Sequence, residues 1–298
     1  MPSSIISYND PMTPEQYCQD KTQKSGSSFY YSFLFLSKKK RLAITALYAF
    51  CREVDDIADS EMDNKIKRVK LEWWRAEIES LFVGNPNHPV SQALLTSIHD
   101  FKLDKKYFLE IIDGMEMDLE TVRFANFEEL NLYCYRVAGV VGLLSASIFG
   151  YKDPKTLEFA TKLGLALQLT NIIRDVYEDS LRNRLYLPLD ELKDFGVTEA
   201  QIFNRENTDS FHKLISFHAQ RAHQCYRDAF DILPLQDRYD QKTGTIMAAI
   251  YENTLNEMES DKLQVLKHKI VIPPLRKITI ALKTLFKEWW SYRKYKTA

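Results

Sequence analysis

The chain has 298 residues with a net charge of −1, so no basic excess points to nucleic acid as a partner. Hydrophobic residues at 45% and charged residues at 27% exclude a disordered chain and fit a globular one. Cys18, Cys51, Cys134 and Cys225 form no CxxC pair, which argues against a zinc site or a disulfide framework and for free thiols in a cytoplasmic, reducing setting.

In chain order, residues 1–13 are a short polar segment without the apolar run of a signal peptide. Thr13-Pro14 and Asp153-Pro154 read as helix starts, with proline in the first turn. Helical periodicity predicts helices over 38–59, 63–83, 88–100, 104–121, 126–150, 154–180, 189–194, 207–231, 236–259 and 271–294. Gly84-Asn85-Pro86 and the stretch from Gly150 to Pro154 supply breaks. Strand-like alternation is scarce, and no linker or repeat divides the chain, so the expectation is all-α and a single domain over 1–298. No run of about 18 apolar residues stands out as a bilayer span.

The helix over 38–59 ends in Tyr48-Ala-Phe-Cys-Arg52-Glu-Val-Asp55-Asp56-Ile-Ala-Asp59. At 100° per residue, Tyr48, Arg52, Asp55 and Asp59 share one face, opposite Ala46, Leu47, Phe50, Val54 and Ile57. Asp55 and Asp59, one turn apart, can reach one cluster of hard cations, although a solvated acidic face gives the same pattern.

The helix over 154–180 repeats the device with Gln168, Asn171, Asp175 and Asp179 on one face. Leu165, Leu167, Leu169, Ile172, Ile173 and Val176 surround much of the rest, so this helix is expected to be buried. Carboxylates facing an interior need a cation. Either a metal supplies it, or an ion-pair network with Arg174, Arg182 or Arg184 does. Oxygen-only donors without an HxxxH pair suit Mg²⁺ rather than zinc. Between the two helices, Gly139, Gly142 and Ser145 thin one side of a helix, for close packing or for a ligand. Phe29, Tyr30, Tyr31, Phe33 and Phe35 read mostly as core.

With these residues in view, the sequence resembles the squalene/phytoene synthase family. Asp55-Asp56-x-x-Asp59, Tyr133-Cys-Tyr-x-Val-Ala-Gly139, Gln168-x-x-Asn171-x-x-x-Asp175-x-x-x-Asp179 and Arg184-x-Tyr186-x-Pro188 match in order and spacing, over about residues 14–280. Lys24-Ser-Gly-Ser-Ser-Phe-Tyr-Tyr-Ser-Phe-Leu-Phe-Leu36 and Asp113-Gly-Met-Glu-Met-Asp118 are most similar to the bacterial presqualene diphosphate synthases of hopanoid biosynthesis.

The resemblance implies an isoprenoid synthase fold with helices around a central apolar cavity, and a Mg²⁺-dependent condensation of two farnesyl diphosphates to presqualene diphosphate. It implies Asp55, Asp59, Asn171, Asp175 and Asp179 as metal ligands. Arg52 and Arg174 would contact diphosphate, and Tyr48, Tyr133 and Tyr251 would line the reaction centre. Ser25, Ser27 and Ser28 would lie in a flap, Gln168 would border the prenyl cavity, and Arg184 would bind substrate.

Ser25 departs from the histidine of some relatives. His268, Lys269 and Arg276 are candidates for C-terminal diphosphate contacts, with Pro273-Pro274 disturbing the match. Phytoene synthesis from geranylgeranyl diphosphate, a squalene or dehydrosqualene synthase, and a non-enzymatic assembly protein on the same fold are the alternatives. No GxGxxG motif marks NADPH, which decides little because the family does not use one. Residues 275–296 form an amphipathic aromatic and basic helix, read either as a peripheral membrane contact or as a packed terminal helix.

Overall fold

The computed structural model describes residues 12–25, 32–119 and 123–297. The described residues form helices and no strand, in agreement with the all-α expectation. In order they are α1 (Pro14–Lys24), α2 (Lys38–Asp59), α3 (Asn64–Phe82), α4 (Pro89–Asp100), α5 (Lys105–Met117) and α6 (Phe127–Cys134). A π-helical turn at Tyr135–Gly139 joins α6 to α7 (Val140–Phe149). Then follow α8 (Lys155–Leu181), α9 (Leu189–Asp194), α10 (Glu199–Phe203), α11 (Asp209–Ile232), α12 (Lys242–Ser260) and α13 (Pro274–Thr297).

Most starts are capped by side chains that satisfy the free N–H groups of the first turn. Thr13 and Gln16 form a reciprocal capping box on α1, and Thr198 and Gln201 do so on α10. Asp63, Asp104, Asn126 and Thr208 cap α3, α5, α6 and α11.

The differences from the sequence expectation are local. The helix expected over 104–121 ends at Met117, and residues 120–122 lie outside the described set. The helix expected from 236 begins at Lys242, after a turn that runs from Pro234. Pro274 opens α13 three residues later than expected. The continuous stretch Phe127–Phe149 is, by length and composition, apolar enough to cross a membrane, which the sequence reading did not anticipate; it is half buried inside the protein.

Two apolar cores build the fold. One gathers α1 to α5 and α7 around Leu47, Phe50, Phe108 and Ile112. The other gathers α8, α11 and α12 around Ile173, Phe211, Tyr226 and Ile250. Val137, in the π turn, packs against both. The seam closes by backbone contact. A Cβ on Gly142 would stand 2.4 Å from the Ala160 carbonyl oxygen, and one on Gly164 would stand 2.6 Å from that of Ala138. These glycines therefore let α7 and the π turn cross α8 at a distance no other residue permits. For Gly142 the sequence's two alternatives coincide, because close packing on one side leaves the same helix lining a cavity on the other.

Candidate functional site

Between the two cores lies a cavity of about 760 Å³. Ile44, Leu47, Ile111, Met115, Val137, Val141, Phe159, Leu163, Leu167 and Met247 give it apolar walls. Arg52, Asp55 and Asp59 from α2 meet Asn171, Arg174, Asp175 and Asp179 from α8 along it. The two acidic stripes thus line one cavity, which neither stripe could show alone.

The charges are paired in a specific way. Arg52 donates to both Asp55 and Asp56; Asp56 also meets Lys21 at 2.9 Å and is not among the cavity residues. Arg184 reaches across to Asp59 at 2.6 Å and to the Ala58 carbonyl at 3.1 Å, and Arg182 lies 3.2 Å from Asp59. Arg174 holds Asp175 with two bonds of 2.8 and 2.6 Å, a planar fork on a carboxylate. Lys269 completes this cluster at 2.9 Å from Asp175. The ion-pair network posed as the alternative to metal is therefore present. Among the described residues, no group of three or more His, Cys, Asp or Glu side chains is gathered closely enough to hold an ion.

The pairing is incomplete, and the protonation behaviour shows where. Burial pushes the Asp59 and Asp175 carboxyls up, but Arg184 and Arg182 for Asp59, and Arg174 and Lys269 for Asp175, outweigh it and hold both below the usual range. Asp55 is pushed up to about 6 by burial, which Arg52 offsets only in part. Asp179 rises to about 7, by burial and by the neighbouring charge of Asp175. Asn171 Oδ1 is buried without a hydrogen-bond partner, although its amide donates to Gln168 at 3.3 Å. A buried carbonyl oxygen without a donor and two under-neutralised carboxylates, all lining one cavity, are oxygen donors of the kind a hard divalent cation takes, although they are not gathered into a ligand cluster.

Tyrosines surround this centre. Tyr133 and Tyr186 donate to the two oxygens of the buried Asp118 carboxylate at 2.9 and 2.8 Å, and all three line the cavity. Burial raises Asp118 to about 6 despite both bonds. Tyr251 lies under the Arg174 guanidinium, 6.0 Å from its ring centroid. Tyr48 donates to Ser25 at 3.0 Å, which ties the C-terminal end of α1 to α2. Ser27 and Ser28, with Phe29, Tyr30 and Tyr31, lie outside the described residues.

Not every candidate reaches the cavity. Arg276 is bound to Glu257 at 2.5 Å and His268 to Asp261 at 3.1 Å, and neither lines it; of the three C-terminal candidates only Lys269 does. Lys277 stood in the sequence only as one of the basic residues of the terminal helix. It is buried at the start of α13, and its ammonium is destabilised by burial and by the Arg174 charge. A lysine on the inward face of an otherwise exposed basic helix is the signal that could have marked it. Asp118 stood in the sequence only as part of a likeness, and its hydrogen-bonding partners come from segments 15 and 68 residues away.

An all-helical shell around an apolar cavity with a cationic and acidic rim defines an isoprenoid synthase fold. The family model described as squalene/phytoene synthase matches residues 22–276, and the chain belongs to that family. A phytoene synthase of Arthrospira platensis is 36% identical over 277 residues, covering 88% of this chain and 89% of that one. A solved dehydrosqualene synthase superposes with a TM-score of 0.83 at 28% identity, covering 92% of this chain and 96% of that one. The squalene synthase HpnC from Alicyclobacillus acidocaldarius gives 0.76 at 25% identity, covering 84% and 94%.

Proposed function

We propose that the protein joins two farnesyl diphosphates head to head into presqualene diphosphate and releases one diphosphate. The observation that carries the reading is the pair of carboxylate stripes interleaved with Arg52, Arg174, Arg184 and Lys269 along one apolar cavity. Asp55, Asp59, Asn171, Asp175 and Asp179 would hold Mg²⁺. When bound, the metal would neutralise the charge that develops on the departing diphosphate.

The protein's own residues have distinct parts in this reading. Arg52, Arg174 and Lys269 take diphosphate oxygens, and their attraction grows as the allylic C–O bond breaks. The apolar walls exclude water from the resulting cation. The double bond of the second chain attacks it, one proton leaves, and a second carbon–carbon bond closes a cyclopropane. The released diphosphate is the base at hand for that proton. Tyr133, fixed by Asp118, and Tyr251 stand beside the reacting carbons.

Chain length is argued from likeness: the segments at Lys24–Leu36 and Asp113–Asp118 resemble the presqualene type. Phytoene synthesis is the second reading, favoured by the names of the curated relatives.

The deciding assay uses purified protein, Mg²⁺ and each prenyl diphosphate separately, with and without NADPH, and identifies products by mass. Presqualene diphosphate is expected from farnesyl diphosphate, unchanged by NADPH. Phytoene from geranylgeranyl diphosphate, with no product from farnesyl diphosphate, would move the protein to the second reading. Squalene appearing with NADPH would make it a complete squalene synthase.

A further inference from the structure

α13 packs on the rest of the fold through one face, to which Ile280 and Leu285 also contribute. Lys277, Ala281 and Glu288 are buried there, and Glu288 accepts two bonds from Arg238 at 2.6 and 3.1 Å. At 100° per residue, Leu275, Ile278, Leu282, Phe286 and Trp290 fall within a stripe of roughly 120° on another side of the helix. Their exposures are 80, 40, 52, 64 and 50%, so the whole stripe meets solvent.

The charge around that stripe has one sign. Lys283, Lys287 and Lys294 run along its edge and are exposed. Glu288 is the helix's single acidic residue, and it is buried. Toward the C-terminal end, Arg293 stacks over Trp289 at 4.6 Å and Lys294 over Trp290 at 5.8 Å. These residues, with Tyr292 and Lys296, line a groove of about 610 Å³.

We infer that α13 docks the protein onto the surface of an anionic lipid bilayer. The apolar stripe enters the boundary between headgroups and acyl chains, and the lysines and Arg293 lie on headgroup phosphates. Tryptophan and tyrosine carrying cations on their faces suit this boundary, where one side is apolar and the other wet. A second copy of the chain is the weaker occupant. Two such faces packed together would set lysines against lysines, with no exposed acid on the helix to relieve them. The inference does not depend on which prenyl diphosphate the cavity accepts.

Cosedimentation of the full chain with phosphatidylcholine vesicles, and with vesicles containing half phosphatidylglycerol, tests it. Phe286→Ser/Trp290→Ser removes the apolar contact, and Lys283→Glu/Lys287→Glu reverses the charge. All four positions are at the surface, and unchanged melting would confirm that both variants fold. The wild-type protein is expected to pellet with the anionic vesicles and about tenfold less with phosphatidylcholine alone or in high salt. Each double variant should lose roughly tenfold or more of the binding to anionic vesicles. Wild-type protein left in the supernatant with both vesicle types would overturn the inference. So would variants that pellet as well as wild type. A wild-type dimer in sedimentation velocity that Phe286→Ser/Trp290→Ser dissolves, without vesicle binding, would assign the face to self-association instead.

Discussion

Asp179→Asn should stabilise the metal-free protein while abolishing its turnover. Asp179 lies in the folded chain at a pKa of about 7, against an ordinary 3.8. Between those values the folded chain keeps a proton that the unfolded chain has lost. The stability linked to this carboxyl is therefore complete below about pH 4 and disappears as pH rises through 7. At about 1.4 kcal/mol per unit, the full loss is about 4 kcal/mol, and water in the open cavity reduces what is realised to roughly 2–3 kcal/mol.

Asparagine has no such proton, so the variant should gain that amount at pH 8, and about half as much at pH 5.5. Asp175→Asn should do the opposite. Its carboxyl is held low by Arg174 and Lys269 against the effect of burial, so its stabilisation is present above about pH 4. The substitution leaves the buried Arg174 without its fork and should cost about 3 kcal/mol. Urea unfolding followed by circular dichroism in EDTA, at pH 5.5 and 8, measures both. An Asp179→Asn protein no more stable than wild type at pH 8, or one with the wild-type pH slope, would refute the reasoning.

Three further outcomes follow from the packing. Gly142→Ala should lose more than about 2 kcal/mol in urea, because its Cβ would press on the Ala160 carbonyl oxygen and neither backbone can yield. Arg238→Met should cost about 3 kcal/mol by leaving Glu288 buried and unpaired; pairing it with Glu288→Met should recover most of that loss in a double-mutant cycle. Asp237→Ala should cost about 3 kcal/mol in the same unfolding assay, since the Asp237 carboxylate accepts from the Lys152 and Asp153 amides and from the Thr156 hydroxyl.

The two acidic stripes were legible because a helix repeats its faces with a fixed angle, so Asp55 with Asp59, and Asp175 with Asp179, needed only counting. The partners of these carboxylates were less so. Whether Asp59 meets a metal or Arg184 depends on a contact across 125 residues of chain, which no local pattern encodes. The bonds from Tyr133 and Tyr186 to Asp118, and the effect of the Arg174 charge on Lys277, are long-range in the same way and were not legible. Ser25 was expected near the diphosphates, and its tie to Tyr48 places it beside α2. Helix starts were set too early at 236 and 271, because the turn that runs from Pro234 holds the chain out of α12 until Lys242, and Pro274 sets the first residue of α13.

The π turn at Tyr135–Gly139 has a consequence for how this protein could vary. A π turn accommodates one residue more than the α-helix would. On either side of it the helix faces are set about 100° apart from where an unbroken helix would put them. Loss of a single residue within Tyr135–Gly139 would restore regular α-helix and cost little locally. It would also rotate one half of the cavity wall against the other, carrying Val141 and Ser145 away from the interior or Tyr133 away from Asp118. The segment is thus intolerant of a change in length even where it would tolerate changes in side chain, and a library of one-residue deletions should show a sharp gap in function across these five positions.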